Sequence, residues 1–359
     1  MTTLIQTTAT ANSIRSVLQF FSKNSKHEFP HQLAGPLFRI LLSLEEDQTK
    51  VTNNSDNSTY NSNELLHILL IVKNTENGTE GQNTNNPIPL TLELLQAIEE
   101  TLLAIAVVLQ YIDIYEVCPW FNAGEGLVEL RQEMVKTVLS GVNGLSGKSE
   151  QEPPLLQLNG WPDEEAKIAR SLSKTVVWDD GGELYSLYVL GDEIELETAV
   201  EIGQEWVDQI TGKTFVMDRL TKEDIKVVQE NSTVGYRDDY YELVLGNPHL
   251  ANLSRCIREV AGDGAKIPVS WILVHTNYSL GLACTLPAYT LQGFGQKALN
   301  SLLHEYRKVV EQQWALHVDG GGRKLKAYNF IDDNNEGSKR QFKMFFKEGR
   351  KVEWIGIQV

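Results

Sequence analysis

The sequence contains little cysteine and no long apolar run. Only three of its 359 residues are cysteines, Cys118, Cys256 and Cys284, and they form no Cys-x-x-Cys pair. A disulfide framework and a thiolate zinc site are therefore not expected, and we predict no metal. The longest apolar run, residues 102–109, is less than half of the ~20 residues that a membrane-spanning helix needs. No membrane partner is predicted.

Basic charge is also scarce. The chain has 32 Lys and Arg against 48 Asp and Glu, a formal net charge of -16 at pH 7. Nucleic acid and anionic membranes require a basic surface, so neither is expected as the main partner. The deficit is uneven, because residues 289–359 contain 12 basic and 8 acidic side chains. This basic tail is compatible with a small polyanionic ligand.

The overall composition is that of a globular protein, with 42% hydrophobic and 22% charged residues. The length suits two domains of ordinary size. Residues 1–27 contain Arg, Lys, Thr and Ser but no acidic residue, a composition found in organelle transit peptides, although a solvated chain start is the simpler interpretation. We predict a cytoplasmic location, with the mitochondrion as the alternative.

The first 150 residues combine polar loops with apolar elements. Asn, Thr and Ser dominate residues 48–63 and 74–86, which are predicted to be mobile loops. Hydrophobic patterning predicts a buried strand at 65–72, an amphipathic helix at 91–112 and a second helix at 127–139. Residues 141–154 are rich in Gly, Ser, charge and Pro, and are interpreted as a linker.

Strands and helices alternate after this linker, with no visible internal repeat, which predicts a mixed α/β class. The predicted strands are 175–178 and 184–190, taken as a hairpin around the turn at 179–182, then 215–219, 269–274, 279–285, 327–331 and 352–359. The predicted helices are 195–210, 253–260, 299–313 and 338–346. A further helix is predicted after Thr221, with Asp224 in the capping position three residues on.

A glycine-containing loop is the most informative part of the sequence. A predicted strand ends near Thr285, Pro287 follows it, and Gln292-Gly293-Phe294-Gly295-Gln296 leads directly into a helix. Backbone amides at a helix start lack partners within the helix and carry the positive end of its dipole, and glycines let an anion approach closely. The loop is therefore a candidate phosphate site, although a plain tight turn has the same local pattern.

The surroundings of this loop resemble those of a known enzyme family. Pro-Val-Ser-Trp at 268–271 precedes Thr-Leu-Pro-Ala-Tyr at 285–289, and Tyr-Asn-Phe-Ile-Asp at 328–332 precedes Asn-Glu-Gly-Ser at 335–338. In order and spacing these segments resemble the acyl-CoA region of GNAT-type N-acyltransferases, and are most similar to glycine N-acyltransferases. The resemblance implies a GNAT-type mixed sheet flanked by helices. It assigns 212–359 to the acyltransferase domain and 151–211 to a half-domain like the amino-terminal part of glycine N-acyltransferases, with 1–150 as a divergent α/β region.

The resemblance also implies an acyl-CoA or acetyl-CoA co-substrate. Its pantetheine chain is expected between the parallel strands 279–285 and 327–331, where a backbone amide near Leu282 and Cys284 supports the thioester oxygen and Leu286 adjoins the chain. The residues expected to hold the pyrophosphate are Gln292, Gly293, Phe294, Gly295, Gln296 and Lys297. The expected acceptor is the amine of a small molecule such as an amino acid.

Three positions depart from the family pattern. Thr290 stands where the loop usually begins with Arg or Gln, Ser279 stands where glycine N-acyltransferases carry a glutamate base, and Phe342 stands where a tyrosine often protonates the thiolate. A catalytically reduced module that binds CoA or a protein partner is therefore the alternative function.

Other side chains are candidates for the missing proton transfers. His275 precedes Ser279 by four residues and is a candidate base, with a turn histidine as the structural alternative. Asp332 and Asn335 lie in the second matching segment, and turn or capping roles are the alternative for the aspartate. Cys284 has no evident histidine partner and is interpreted as a packing residue rather than a nucleophile.

Overall fold

The computed structural model describes most of the chain. The described residues are 2–8, 10–24, 29–51, 65–73, 90–110, 114–121, 128–146, 155–179, 184–209, 211–232, 236, 238–246, 250, 252–318 and 321–358. The predicted loops at 48–63 and 74–86, the linker at 141–154 and the turn at 179–182 lie largely outside these ranges. Among the described helices, none is long and apolar enough to cross a membrane.

Helices and strands alternate along the chain. The first half contains β1 (Thr2–Thr8), α1 (Ala11–Lys23), α2 (His31–Val51), β2 (Leu65–Lys73), α3 (Leu92–Ala97), β3 (Leu102–Gln110), β4 (Ile114–Phe121), α4 (Val128–Ser146), β5 (Leu155–Pro162), α5 (Asp163–Leu172) and β6 (Thr175–Asp179). The second half contains β7 (Tyr185–Leu190), β8 (Glu205–Val207), β9 (Thr214–Asp218), α6 (Ile225–Glu230), α7 (Asp238–Gly246), β10 (Ser254–Val260), β11 (Lys266–Val274), β12 (Ser279–Thr285), α8 (Phe294–Tyr306), α9 (Gln312–His317), β13 (Tyr328–Asp332), α10 (Glu336–Phe342) and β14 (Phe346–Gln358).

These elements form two compact units. The first comprises Met1–Tyr185, Trp314–Lys324 and Arg350–Val359, and the second comprises Ser186–Gln313 and Leu325–Gly349. The boundaries predicted at 150/151 and 211/212 do not coincide with this division. The assignment of those segments to family domains stays a prediction.

The first unit contains a mixed sheet. Strands β1 to β4 are antiparallel neighbours, β4 and β5 are parallel, and the end of β14 pairs antiparallel with both β5 and β6. Its core packs apolar strand residues against α4 and α5, with Trp161 fully buried. The Trp161 indole donates a hydrogen bond of 3.1 Å to the Val117 carbonyl, at the last paired position of β4 and β5.

The second unit contains a second mixed sheet. Its strand order is β8, β9, β10, β11, β12, β13 and β7, followed by the first residues of β14. Strands β8 to β12 are antiparallel neighbours, whereas β12 and β13 run parallel. One face of β11 carries Trp271 and Leu273 in a cluster with α6 and α7, which confirms that these two residues share a face. Helix α8 contacts β10, β11 and β12.

The two units repeat one order of elements, which the sequence did not reveal. Each begins with a strand, continues with two helices and three antiparallel strands, and ends with a helix, a parallel strand, a helix and a strand. The strand next to each parallel strand is supplied from elsewhere in the chain. The end of β14 fills this place in the first unit and β7 fills it in the second.

Several predicted elements are confirmed. The strands predicted at 65–72, 215–219, 269–274, 279–285 and 327–331 correspond to β2, β9, β11, β12 and β13. The Thr221 cap is confirmed, since its backbone amide donates to the Asp224 carboxylate at 2.8 Å before α6. The helix predicted at 299–313 corresponds to α8, a π-helical turn at Arg307–Glu311 and α9.

Other predicted elements are wrong. The helix predicted at 91–112 ends at Ala97, and the apolar residues that follow form β3. The helix predicted at 253–260 is β10, and residues 195–210 contain the short strand β8 rather than a helix. The predicted hairpin is also wrong, because β6 pairs with β14 and β7 belongs to the other unit.

Candidate functional site

The parallel strands of the second unit separate soon after they begin. The register of β12 and β13 pairs Ser279 with Tyr328 and Leu280 with Asn329, and it pairs no later residue of the two strands. The rest of β12 and β13 therefore leaves backbone groups between them without a ladder. This opening, which we call the splay, is bounded by residues 281–285 and 330–332.

A β-bulge in β12 lies at the start of the splay. The register with β11 passes from Leu273–Gly281 to Trp271–Cys284, so Leu282 and Ala283 have no paired residue there. Leu282 takes a left-handed conformation with φ of 51°, which turns the local peptide groups away from the regular ladder. The bulge supplies the irregular backbone that the sequence predicted near Leu282 and Cys284.

The glycine loop precedes α8. Gly293 caps this helix with φ of 75°, and a Cβ at this position would have only the Lys297 ammonium within 4 Å, at 3.8 Å. Among the described residues, the side-chain carbonyl oxygens of Gln292 and Gln296 are buried without a hydrogen-bond partner. The start of α8 thus combines an open glycine, an exposed lysine and two unused acceptors.

Gly295 has a different environment from Gly293. A Cβ on Gly295 would lie 3.1 Å from the Gln341 amide nitrogen and 3.3 Å from the Thr285 hydroxyl. Gln341 donates to the Gly295 carbonyl at 3.0 Å, and Gln296 donates to the Gln341 carbonyl at 3.0 Å. Gly295 therefore permits close packing of α8 against α10, whereas Gly293 faces open space.

Three aromatic side chains lie beside the bulge on the α7 side of the sheet. Tyr236 and Tyr240 stack with ring centroids 4.6 Å apart, and the His275 ring lies 5.6 Å and 5.9 Å from them. The Tyr240 hydroxyl is 2.5 Å from His275 Nδ1. We call Tyr236, Tyr240 and His275 the aromatic layer.

The aromatic layer covers the backbone of β12. A Cβ on Gly281 would lie only 1.8 Å from His275 Nε2, so the ring needs glycine at this position. Protein surrounds the imidazole although the residue keeps some exposed surface, and burial lowers the pKa of His275 to about 4. The imidazole is therefore neutral at pH 7.

The predicted catalytic side chains other than His275 make structural contacts. Ser279 is buried and its hydroxyl donates to the Asn277 side chain at 2.6 Å. Asp332 accepts from the Asn334 amide at 2.7 Å, and Asn335 caps α10 by accepting from the Ser338 amide at 3.0 Å. Phe342 is fully buried and packs against Phe346. Catalytic roles for Ser279, Asp332 and Asn335 stay predictions.

The predicted ligand-binding residues fall into two groups. Leu282, Cys284 and Leu286 pack against the core cluster of Trp271 and Leu273, beside the aromatic layer. Burial raises the pKa of Cys284, which keeps the thiol protonated and agrees with a packing role. The second group is the glycine loop, Gln292, Gly293, Phe294, Gly295, Gln296 and Lys297, of which Phe294 is buried against Phe215 and the rest are at least partly exposed.

Sequence reasoning missed Tyr236, Tyr240 and Gly281. The tyrosines lie in the segment Tyr-Arg-Asp-Asp-Tyr-Tyr at 236–241, whose spacing would have placed Tyr236 and Tyr240 on one helical face. Nothing in the sequence linked that segment to His275, because the contact joins residues 35 positions apart. Within the described ranges, no group of three or more His, Cys, Asp or Glu side chains could hold a metal ion.

Solved structures share this fold. The chain is similar to a Drosophila protein known from an X-ray structure, with 12% sequence identity, 98% coverage of both chains and a TM-score of 0.56. A GCN5-related N-acetyltransferase from Sphaerobacter thermophilus matches with 9% identity, 99% coverage of this chain, 95% of that chain and a TM-score of 0.47. The GCN5-related glucosamine N-acetyltransferase region of a fungal multi-domain β-N-acetylglucosaminidase matches with 10% identity, covering 99% of this chain and 38% of that one, at a TM-score of 0.45.

These similarities concern the fold. They agree with a mixed α/β architecture whose sheets are flanked by helices, the fold class that the sequence predicted. No protein-family profile and no curated protein sequence matches this chain.

Proposed function

We propose that the second unit is an acyl-CoA-dependent N-acyltransferase that transfers an acyl group to the amine of a small acceptor. One observation carries the proposal: a bulged strand and a parallel neighbour separate beside a glycine-capped helix start. This combination offers an extended slot for a chain-like ligand and backbone amides for an anion. The motifs at 268–271, 285–289 and 328–332 support the finer assignment to enzymes like glycine N-acyltransferases.

The residues present fit acyl-CoA. The amides from Gly293 to Gln296 would hold the pyrophosphate, with Lys297 beside them, and the splay would hold the pantetheine chain. The unpaired carbonyl oxygens of Gln292 and Gln296 are acceptors for polar hydrogens of the bound molecule. The backbone at Leu282 would support the thioester oxygen as it gains negative charge.

The reaction balances with the co-substrate alone. The unprotonated amine attacks the thioester carbonyl, a C–N bond forms, the C–S bond breaks and the thiol leaves with the proton that the amine gives up. The neutral imidazole of His275 accepts or donates a hydrogen bond near the bulge, and Tyr240 fixes its orientation. A cytoplasmic location, with the mitochondrion as alternative, stays a prediction.

The test is thioester consumption by the purified full-length chain. Release of free thiol would be followed with acetyl-CoA and longer acyl-CoAs, each with a panel of amines that includes glycine, and the product amide would be identified by mass. We expect amine-dependent thiol release. Thiol release without amide formation would contradict the proposal.

A catalytically reduced CoA-binding module is the second candidate. It is favoured by the contacts of Ser279 and Phe342, which leave neither side chain available for proton transfer. Tight CoA binding without turnover over the whole panel would select this candidate.

A further inference from the structure

The aromatic layer has a defined place relative to the proposed reaction. The His275 ring covers Gly281, the residue immediately before the left-handed Leu282 of the bulge. Tyr236 and Tyr240 extend this layer from the start of α7. A molecule that contacts these rings would therefore lie next to the backbone at which the thioester is expected.

Half-buried apolar side chains continue the same surface. Leu282, Cys284 and Leu286 of β12 and its end pack against the cluster that includes Trp271 and Leu273, as do Tyr236 and Tyr240. All five remain partly exposed. Aromatic faces and aliphatic side chains together bind apolar bodies well, because both remove hydrocarbon surface from water.

This surface carries no charged side chain among the residues that form it. The cluster and its half-buried neighbours contain no Asp, Glu, Lys or Arg, and the imidazole of His275 and the thiol of Cys284 are uncharged at pH 7. Arg258 acts electrostatically on Cys256 of this cluster, but its guanidinium is bonded to Asp218 and Asp224. A carboxylate placed against the aromatic layer would lose hydration and gain no cation there.

We propose that the aromatic layer receives the acceptor, and that the acceptor is a primary amine on an aromatic or aliphatic body without a carboxylate, rather than a free amino acid. This inference rests on the proposed acyl transfer. It assigns Tyr236 and Tyr240 as specificity-determining residues. It also narrows the acceptor class, because an amino acid differs from the corresponding amine by the one group that this surface does not accommodate.

Phenethylamine and phenylalanine provide the test, since they differ only by a carboxylate. With acetyl-CoA as donor and the full-length chain, kcat/KM would be measured for both and expressed per concentration of unprotonated amine. We expect phenethylamine to be preferred by about tenfold or more, the effect of a modest uncompensated desolvation. Equal rates, or a preference for phenylalanine, would overturn the inference and leave the acyltransferase proposal intact.

Two variants at one position sharpen the test. Tyr236→Arg adds a guanidinium to the surface and should shift the preference toward phenylalanine, whereas Tyr236→Leu keeps an apolar body and should retain the preference for phenethylamine. Thermal unfolding of both variants would show that they are folded. If Tyr236→Arg and Tyr236→Leu change the two substrates equally, Tyr236 does not determine specificity.

Failure of acyl transfer is distinguished by binding. If no amine is acylated, calorimetric titration with phenethylamine and with phenylalanine replaces the rate measurement. Selective binding of phenethylamine that Tyr236→Arg weakens would support the aromatic layer as an amine site and overturn the acyltransferase proposal. No binding of either compound, with or without CoA, would overturn both.

Discussion

The imidazole of His275 lies against the backbone of Gly281, so closely that a Cβ on residue 281 would come within 1.8 Å of Nε2. Tyr240 holds the opposite ring nitrogen at 2.5 Å. The ring is thus fixed between a hydroxyl and a glycine, beside the bulge of β12. The identity of residue 281 follows from packing rather than from a left-handed backbone, since no positive φ occurs there.

The first prediction concerns this contact. Gly281→Ala should destabilise the protein by about 1–3 kcal/mol, the usual cost of overpacking, because neither the backbone nor the bonded imidazole can move freely. Gly262→Ala is the matched control, since a Cβ there meets nothing within 4 Å. Chemical unfolding would measure both. Adding His275→Ala to Gly281→Ala should recover part of the loss, and a purely additive double variant would contradict the clash.

The second prediction concerns stability against pH. The pKa of His275 is lowered from 6.5 to about 4 in the folded protein, so the unfolded chain binds the proton more tightly. Its contribution to stability is fully present above pH 6.5 and is lost as the pH falls from 6.5 through 4. The loss is at most about 3 kcal/mol.

His275→Gln removes this titration without removing hydrogen-bonding capacity. The difference in unfolding free energy between the two proteins, measured from pH 7.5 to 4.5, should shrink as the pH falls. Carboxylates that titrate in this range affect both proteins and cancel in the difference. A difference that stays constant over this range would show that the imidazole has an ordinary pKa.

The third prediction concerns catalysis against pH. With Ser279 bonded to Asn277 and the His275 pKa near 4, no described side chain of the site is expected to titrate as a base between pH 6 and 9. The acceptor amine, whose pKa is about 10 for an alkylamine, should lose its proton to solvent. The rate should therefore keep rising with pH over this interval. An inflection near pH 6.5 that disappears in His275→Gln would instead identify His275 as the base.

The fourth prediction concerns the support beneath the site. Asp224 is buried before α6 and accepts from the Arg258 guanidinium at 2.9 and 2.6 Å. Burial disfavours ionisation, but the hydrogen bonds and charge of Arg258 prevail, and the pKa of Asp224 is lowered. Asp224→Asn should cost about 3 kcal/mol, because it leaves the charge of buried Arg258 partly uncompensated.

Asp263→Asn is the control for this carboxylate. Asp263 lies in an exposed turn and accepts from the Ala265 amide, a bond that asparagine can keep. Its replacement should change the unfolding free energy by less than about 0.5 kcal/mol. Equal effects of the two substitutions would show that the buried pair does not stabilise the unit.

Local sequence predicted the site strands well and the apolar segments poorly. β11 and β12 are bounded by turn residues and rich in β-branched or small side chains, so pattern and structure agree. Residues 102–109 are apolar throughout, and helix and strand cannot be distinguished by periodicity in such a run. Pairing between β2 and β4 decides the outcome, and this information lies outside the segment.

β10 was missed for a related reason. Arg255 and Arg258 are three residues apart, a spacing that favours a helix with a charged face, yet both are buried and bonded to acidic or backbone groups. The β6–β7 hairpin was predicted from its turn alone. The actual partners arrive from the end of the chain, and no local signal encodes them.

The fifth prediction concerns the glycine loop. Lys297 is exposed in the first turns of α8, and its ammonium lies near Gly293. Lys297→Glu reverses a charge beside the amides that are expected to hold the pyrophosphate. At roughly 1 kcal/mol per charge pair in water, reversal should weaken CoA binding by about tenfold or more.

Calorimetric titration with CoA at low and high salt would measure this effect, and Lys266→Glu is the matched control. Lys266 is an exposed lysine of β11 in the same unit, so its reversal changes the net charge equally without altering the loop. The loss of affinity in Lys297→Glu should shrink at 1 M salt, where charges are screened beyond about 3 Å. Gly295→Asp is a less specific probe, because its side chain would also separate α8 from Gln341. Equal CoA affinities for Lys297→Glu and Lys266→Glu at low salt would exclude the start of α8 as the phosphate site, since a pyrophosphate held there must respond to the nearer charge.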